Sequence, residues 1–60
     1  MIEEFDKVKI KSNGKTGIVV DIGKANNKAV YAVELDEKTD DGWEIVFTYL
    51  AEIEKTEYDD

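Results

Sequence analysis

Three short runs of alternating apolar and polar residues constrain this chain more than anything else in it. They are Phe5-Asp6-Lys7-Val8-Lys9-Ile10-Lys11, Gly17-Ile18-Val19-Val20-Asp21-Ile22 and Tyr31-Ala32-Val33-Glu34-Leu35-Asp36. A period of two places alternate side chains on opposite faces of a strand. Glycine- and asparagine-containing segments between the runs mark tight turns, so the pattern predicts an antiparallel meander. In a chain of 60 residues, such a meander has room for little but a small closed barrel.

So short a chain makes one domain with a thin core, and ~3–5 kcal/mol of stability is the expected scale. No covalent or metallic staple is available. The sequence has no cysteine and no histidine, which excludes disulfides, thiolate chemistry and the usual zinc sites. Small secreted domains usually carry bridges, so a cytosolic home is expected. Met1-Ile2-Glu3-Glu4 lacks the basic and apolar regions of a secretion signal, and no apolar run approaches the ~20 residues of a membrane span.

Charge is unevenly laid out. Residues 1–30 hold six lysines against four acids, and residues 31–60 hold two lysines against eleven, for a net charge of −7. The halves carry +2 and −9. All the basic residues are lysine. Specific readout of phosphates and base edges favours the planar arginine fork, so the composition argues against nucleic acid as the partner.

Along the chain, the first strand is expected over 5–11, with Val8 and Ile10 inward and Phe5 at its entry. Ser12-Asn13-Gly14-Lys15 is a turn of the Asn-Gly type. The second strand is expected from Thr16 to Ile22, with Ile18, Val20 and Ile22 inward. Gly17 at its start predicts a bulge or a close approach by another backbone. Residues 23–28 read as a loop with Asn26-Asn27 at its tip. The third strand is expected over 29–36, with Tyr31, Val33 and Leu35 inward. Residues 37–42 read as an acidic loop. The fourth strand is expected over 43–48, with Ile45, Phe47 and Trp43 inward by parity. A helical turn over 48–51, capped by Thr48, precedes a short last strand at 52–55. The expected domain is therefore residues 1–55, followed by an acidic, flexible tail over 56–60.

These features resemble the SH3-like small barrels, in the KOW- and Tudor-like branch. Asp6-Lys7-Val8-Lys9-Ile10 is similar to that branch's opening strand, with Phe5 where the family has glycine. Thr16-Gly17-Ile18-Val19-Val20-Asp21-Ile22 is similar to its Gly-x-Val pattern, and Tyr31-Ala32-Val33-Glu34-Leu35 resembles its third strand. The resemblance covers residues 5–55. It implies an all-β, five-stranded SH3-like barrel with one short helical turn before the last strand. Barrels of this kind serve ribosomal, transcription, chromatin, phage and plasmid proteins, so the fold does not carry an activity with it.

Asp36-Glu37-Lys38-Thr39-Asp40-Asp41-Gly42 is the densest carboxylate cluster. Calcium favours such oxygen ligands, but Lys38 intrudes and the spacing departs from a calcium loop, so a solvated acidic loop is the favoured reading. No histidine, pocket or organised nucleophile accompanies the carboxylates, and the expectation is a non-catalytic protein with no cofactor and no metal. Lys7, Lys9, Lys11 and Lys15 could contact phosphate as in an RNA- or DNA-binding KOW-like domain. The favoured alternative is a solvated strand face paired with acids across the sheet.

Val19, Val30 and Val46 have outward parity on successive strands and are read as an exposed docking patch. Trp43, Asp40, Asp41 and Glu44 adjoin it. The expected function is a small acidic interaction module of bacterial or phage type. It would dock on a basic protein surface or on a second copy of itself, away from any membrane. The alternatives are a phage or mobile-element inhibitor acting as a nucleic-acid mimic, and the KOW-like nucleic-acid binder.

Overall fold

The computed structural model describes residues 1–57. It is all-β, with five antiparallel strands: β1 (Lys7–Ile10), β2 (Thr16–Ala25), β3 (Lys28–Thr39), β4 (Gly42–Tyr49) and β5 (Ile53–Lys55). A 3-10 turn over Leu50–Glu52 connects β4 to β5. The strands form one sheet in the order β4-β3-β2-β1-β5. Every neighbouring pair is antiparallel, and β4 and β5 lie at the two edges.

The turns explain why the strands run longer than the alternating pattern suggests. Gly14 takes a left-handed φ of +75°, and its N–H donates to the Ile10 carbonyl at 2.8 Å. Asn13 Oδ1 accepts from the Lys15 N–H at 2.9 Å, which fixes the Asn-Gly turn expected there. Asn26 and Asn27 both have positive φ, 52° and 65°, the combination a two-residue hairpin turn needs. Ala25 pairs directly with Lys28, so the expected six-residue loop shrinks to these two asparagines. The acidic loop shrinks likewise. Thr39 pairs with Gly42 and only Asp40 and Asp41 turn the chain.

One face of the curled sheet holds the core. Ile2, Val8, Ile10, Val19, Tyr31, Val33, Leu35 and Ile53 form it, with Ala29 and Val46 packed against it. Val8, Val19 and Val33 are fully enclosed, at 0% exposure. Strands β3 and β5 stand three places apart in the sheet, yet both supply core residues and both touch the 3-10 turn. The sheet must curl for that to happen. Burial of apolar surface in this concave face is the main stabilising term.

Gly17 lies where two backbones crowd. A Cβ added there would sit 2.4 Å from the Glu34 carbonyl oxygen and 2.8 Å from Val33 Cγ1. The close approach expected at this glycine is therefore present, and it lets β2 press onto β3.

Two inward faces differ from expectation. In β2, a bulge between Val19 and Asp21 makes Val20 the extra residue. Val19 pairs with Val33, so the buried residues of β2 are Gly17 and Val19 rather than Ile18 and Val20, and Ile22, opposite Tyr31, is exposed rather than inward. In β4, Val46 pairs with Val33 and Thr48 with Tyr31. Ile45, Phe47 and Trp43 consequently face outward. Thr48 does not cap the 3-10 turn. It is buried, and its hydroxyl donates to the Tyr31 carbonyl at 3.2 Å. The turn begins after Tyr49, whose N–H donates to Glu52 Oε1 at 2.7 Å. At the other end of the sheet, the Thr56 N–H donates to the Lys7 carbonyl at 2.9 Å. The rest of the expected tail, residues 58–60, lies outside the described residues.

Candidate interaction surface

The register of β4 builds the surface. Because Val46 and Thr48 turn inward, alternation turns Trp43, Ile45, Phe47 and Tyr49 outward together. Their exposures are 53%, 47%, 74% and 40%. Leu50, at the start of the 3-10 turn, extends the row. Four large apolar residues in line on one face of an edge strand exceed the scattered exposure normal for a surface.

Beside this row the outer face is built from small side chains. Ala32 pairs with Phe47, Val30 with Tyr49, and across β2 they meet Asp21 and Gly23. The step from small to large residues leaves an open depression of about 210 Å³, lined by Asp21, Gly23, Lys24, Val30, Ala32 and Phe47 among others. A second hollow of about 470 Å³ lies by Lys28, Ala29, Tyr49, Leu50, Ala51 and Glu52. Lys28 places its ammonium 5.6 Å from the centroid of the Tyr49 ring.

The expected valine patch does not form. Val19 is fully enclosed and Val46 packs against the core, so neither can meet a partner. The β2 bulge inverts Val19, and the pairing with Val33 inverts Val46. Val30 stays on the outer face, half-buried beside Phe47. Trp43, Asp40, Asp41 and Glu44 are exposed, as a surface role requires. Ile45, Phe47 and Tyr49 were not among the expected surface residues. Their alternation with Val46 and Thr48 is visible in the sequence, but their size and hydrophobicity favour burial, and only the pairing with β3 turns them outward.

The charges interleave. Lys7 of β1 reaches Asp36 of β3, and the Thr16 hydroxyl donates to the same carboxylate oxygen at 2.7 Å. The bond from Lys7, and then that from Thr16, hold the Asp36 carboxyl below its ordinary pKa. Lys15 lies 3.8 Å from Glu37 and Lys55 3.5 Å from Asp6. Asp6 is also held low, first by the N–H of Glu3 and then by Lys55. Lys7 and Lys15 of the candidate phosphate stripe are thus paired with acids, while Lys9 and Lys11 are exposed. Asp36 is bound by Lys7 and Thr16, and among the described residues no three carboxylates gather as a metal site. No described helix is long and apolar enough to cross a membrane.

No protein-family model, no curated protein and no solved structure matches this chain.

Proposed function

We propose that this chain is a non-catalytic binding module that docks a protein partner on the outer face of β3 and β4. One observation carries the reading: Trp43, Ile45, Phe47 and Tyr49 are exposed in one row while their neighbours Val46 and Thr48 turn to the core. Large aromatic side chains beside a depression are the usual anchors of protein interfaces. The acids around the row, Asp21, Asp40, Asp41 and Glu44, favour a partner with a basic surface and speed its approach. The strand order, the β2 bulge and the 3-10 turn before β5 support the SH3-like resemblance. A basic target surface suits both a scaffold and a charge mimic that occupies a nucleic-acid site.

The test is capture from nuclease-treated lysate with wild type, Phe47→Ser and Lys9→Glu. A protein retained by wild type and Lys9→Glu but lost by Phe47→Ser supports the reading. Capture that depends on Lys9, or that vanishes with nuclease, overturns it in favour of nucleic-acid binding.

A further inference from the structure

We infer that β4 pairs edge to edge with β4 of a second copy, in an antiparallel register centred on Ile45. This goes beyond the docking face, because it uses the backbone edge of β4 and leaves the outer face open. Among the described strands β4 pairs only with β3, so its other side is an open row of backbone donors and acceptors. Natural edges are guarded by lysine, proline, bulges or short length. Gly42–Tyr49 runs eight residues with no lysine, no proline and one charge, Glu44, and the irregularity in its ladder with β3 puts the extra residues, between Glu34 and Lys38, on β3.

The open stretch has a definite extent. The Tyr49 N–H is already bonded to Glu52, so Tyr49 ends it. Alternate residues of an antiparallel strand turn their N–H and C=O the same way, so Trp43, Ile45 and Phe47 present theirs to the open side. A two-fold axis at Ile45 uses those residues and no others. It sets Ile45 against Ile45 of the partner subunit and Trp43 against Phe47 of the partner subunit, twice. Aromatic cross-strand pairs of this kind stabilise a ladder.

Charge selects the same arrangement. The register continues to Asp41 opposite Tyr49 of the partner subunit, the ring that carries Lys28 in each copy. Asp40 and Asp41 at one end of β4 thus meet Lys28 and Glu52, of opposite charge, around Tyr49 at the other, at both ends of the pair. A parallel arrangement would set the two acidic turns against each other. The joined sheet would have ten strands, with the two apolar rows side by side on one face.

The chain has no cysteine, so single cysteines report the register cleanly. Ile45→Cys, Val46→Cys and Tyr49→Cys are oxidised mildly at moderate salt, where a Debye length of ~8–10 Å mutes repulsion between two acidic copies. Facing residues in an antiparallel ladder lie ~4.5–5.5 Å apart at Cα, within the ~4.4–6.8 Å of a disulfide. Ile45→Cys should form the covalent dimer fastest. Sedimentation of the wild type should show the mass doubling between micromolar and millimolar concentration. Ile45→Lys, a change at an exposed site, should weaken the association at least about tenfold. A wild-type chain that stays monomeric at millimolar concentration overturns the inference. So does a dimer in which Ile45→Cys crosslinks no faster than the other two. Mass is read with no partner present, so this result and the docking result stand or fall separately.

Discussion

Val46 stands directly opposite Val33 across the β3–β4 ladder, and this pairing turns the bulkiest residues of β4 to solvent. Val33 is fully enclosed and also faces Val19 of β2, so three valines from three strands line up across the concave face. Their small size suits the tight curl of the sheet. Phenylalanine and tryptophan are left for the convex side.

Phe47 is therefore a surface residue, and Phe47→Ala should leave the fold intact. Surface substitutions usually stay within ~0.5 kcal/mol. Val33→Ala removes two enclosed methyl groups and should cost about 2 kcal/mol, a large share of the ~3–5 kcal/mol expected for so small a domain. Urea unfolding of both variants checks the contrast. If Phe47→Ala costs more than Val33→Ala, the register of β4 is wrong.

Gly17→Ala tests the close approach of β2 to β3 at Gly17. The new methyl would meet a backbone oxygen at 2.4 Å, which cannot rotate aside. Overpacking of this kind typically costs ~1–3 kcal/mol. A lowered melting temperature is expected. An unchanged one would mean that the two strands can separate at no cost.

Much of this architecture was legible in the sequence, and its limits were local. The period of two gave strand existence, and Val8, Ile10, Tyr31, Val33 and Leu35 gave the inner faces of β1 and β3. Gly14 and Gly17 announced a turn and a close approach through what only glycine permits. Two things were not written in the pattern. A bulge adds one residue and inverts every side chain before or after it, and nothing about Val20 distinguishes it from Val19. In β4 the more apolar alternating set, Trp43, Ile45, Phe47 and Tyr49, is the one a sequence pattern would bury, and it is the one left outside. Pairing with β3 chose Val46 over Phe47, and that choice moved the candidate surface from the valines to the aromatic row.

Acid should weaken the fold partly through Asp36. In the folded protein Lys7 and Thr16 hold its carboxyl below the ordinary value, while the unfolded chain binds that proton at about 3.9. The unfolded state then binds more protons in this window, so stability rises with pH. The contribution is complete above the unfolded value and is lost as pH falls through the folded one. Asp36→Asn should lower the melting temperature at neutral pH and flatten its decline below about pH 4. Parallel declines in wild type and variant would show that the Lys7–Asp36 pair contributes nothing. Exposed ion pairs often do not, and this one has a mostly buried lysine.

Nucleic acid is the partner class that the charge layout disfavours most, and the expectation is sharp. Of the four lysines that could meet phosphates, Lys7 reaches Asp36 and Lys15 lies near Glu37. Lys9 and Lys11 are left, on a chain with a net charge of −7. Each phosphate neutralised contributes a salt slope of about −0.9 on duplex DNA, so two contacts give a slope near −2 and little affinity. Mixed single- and double-stranded DNA and RNA should show no measurable binding at near-physiological salt in fluorescence anisotropy. Phe47→Ser should leave that null result unchanged, because the outer face has no part in it. Micromolar binding that weakens on Lys9→Glu would return function to the β1 face. Micromolar binding that weakens on Phe47→Ser instead would make the aromatic row a base-stacking platform, and the protein-docking reading would fall with it.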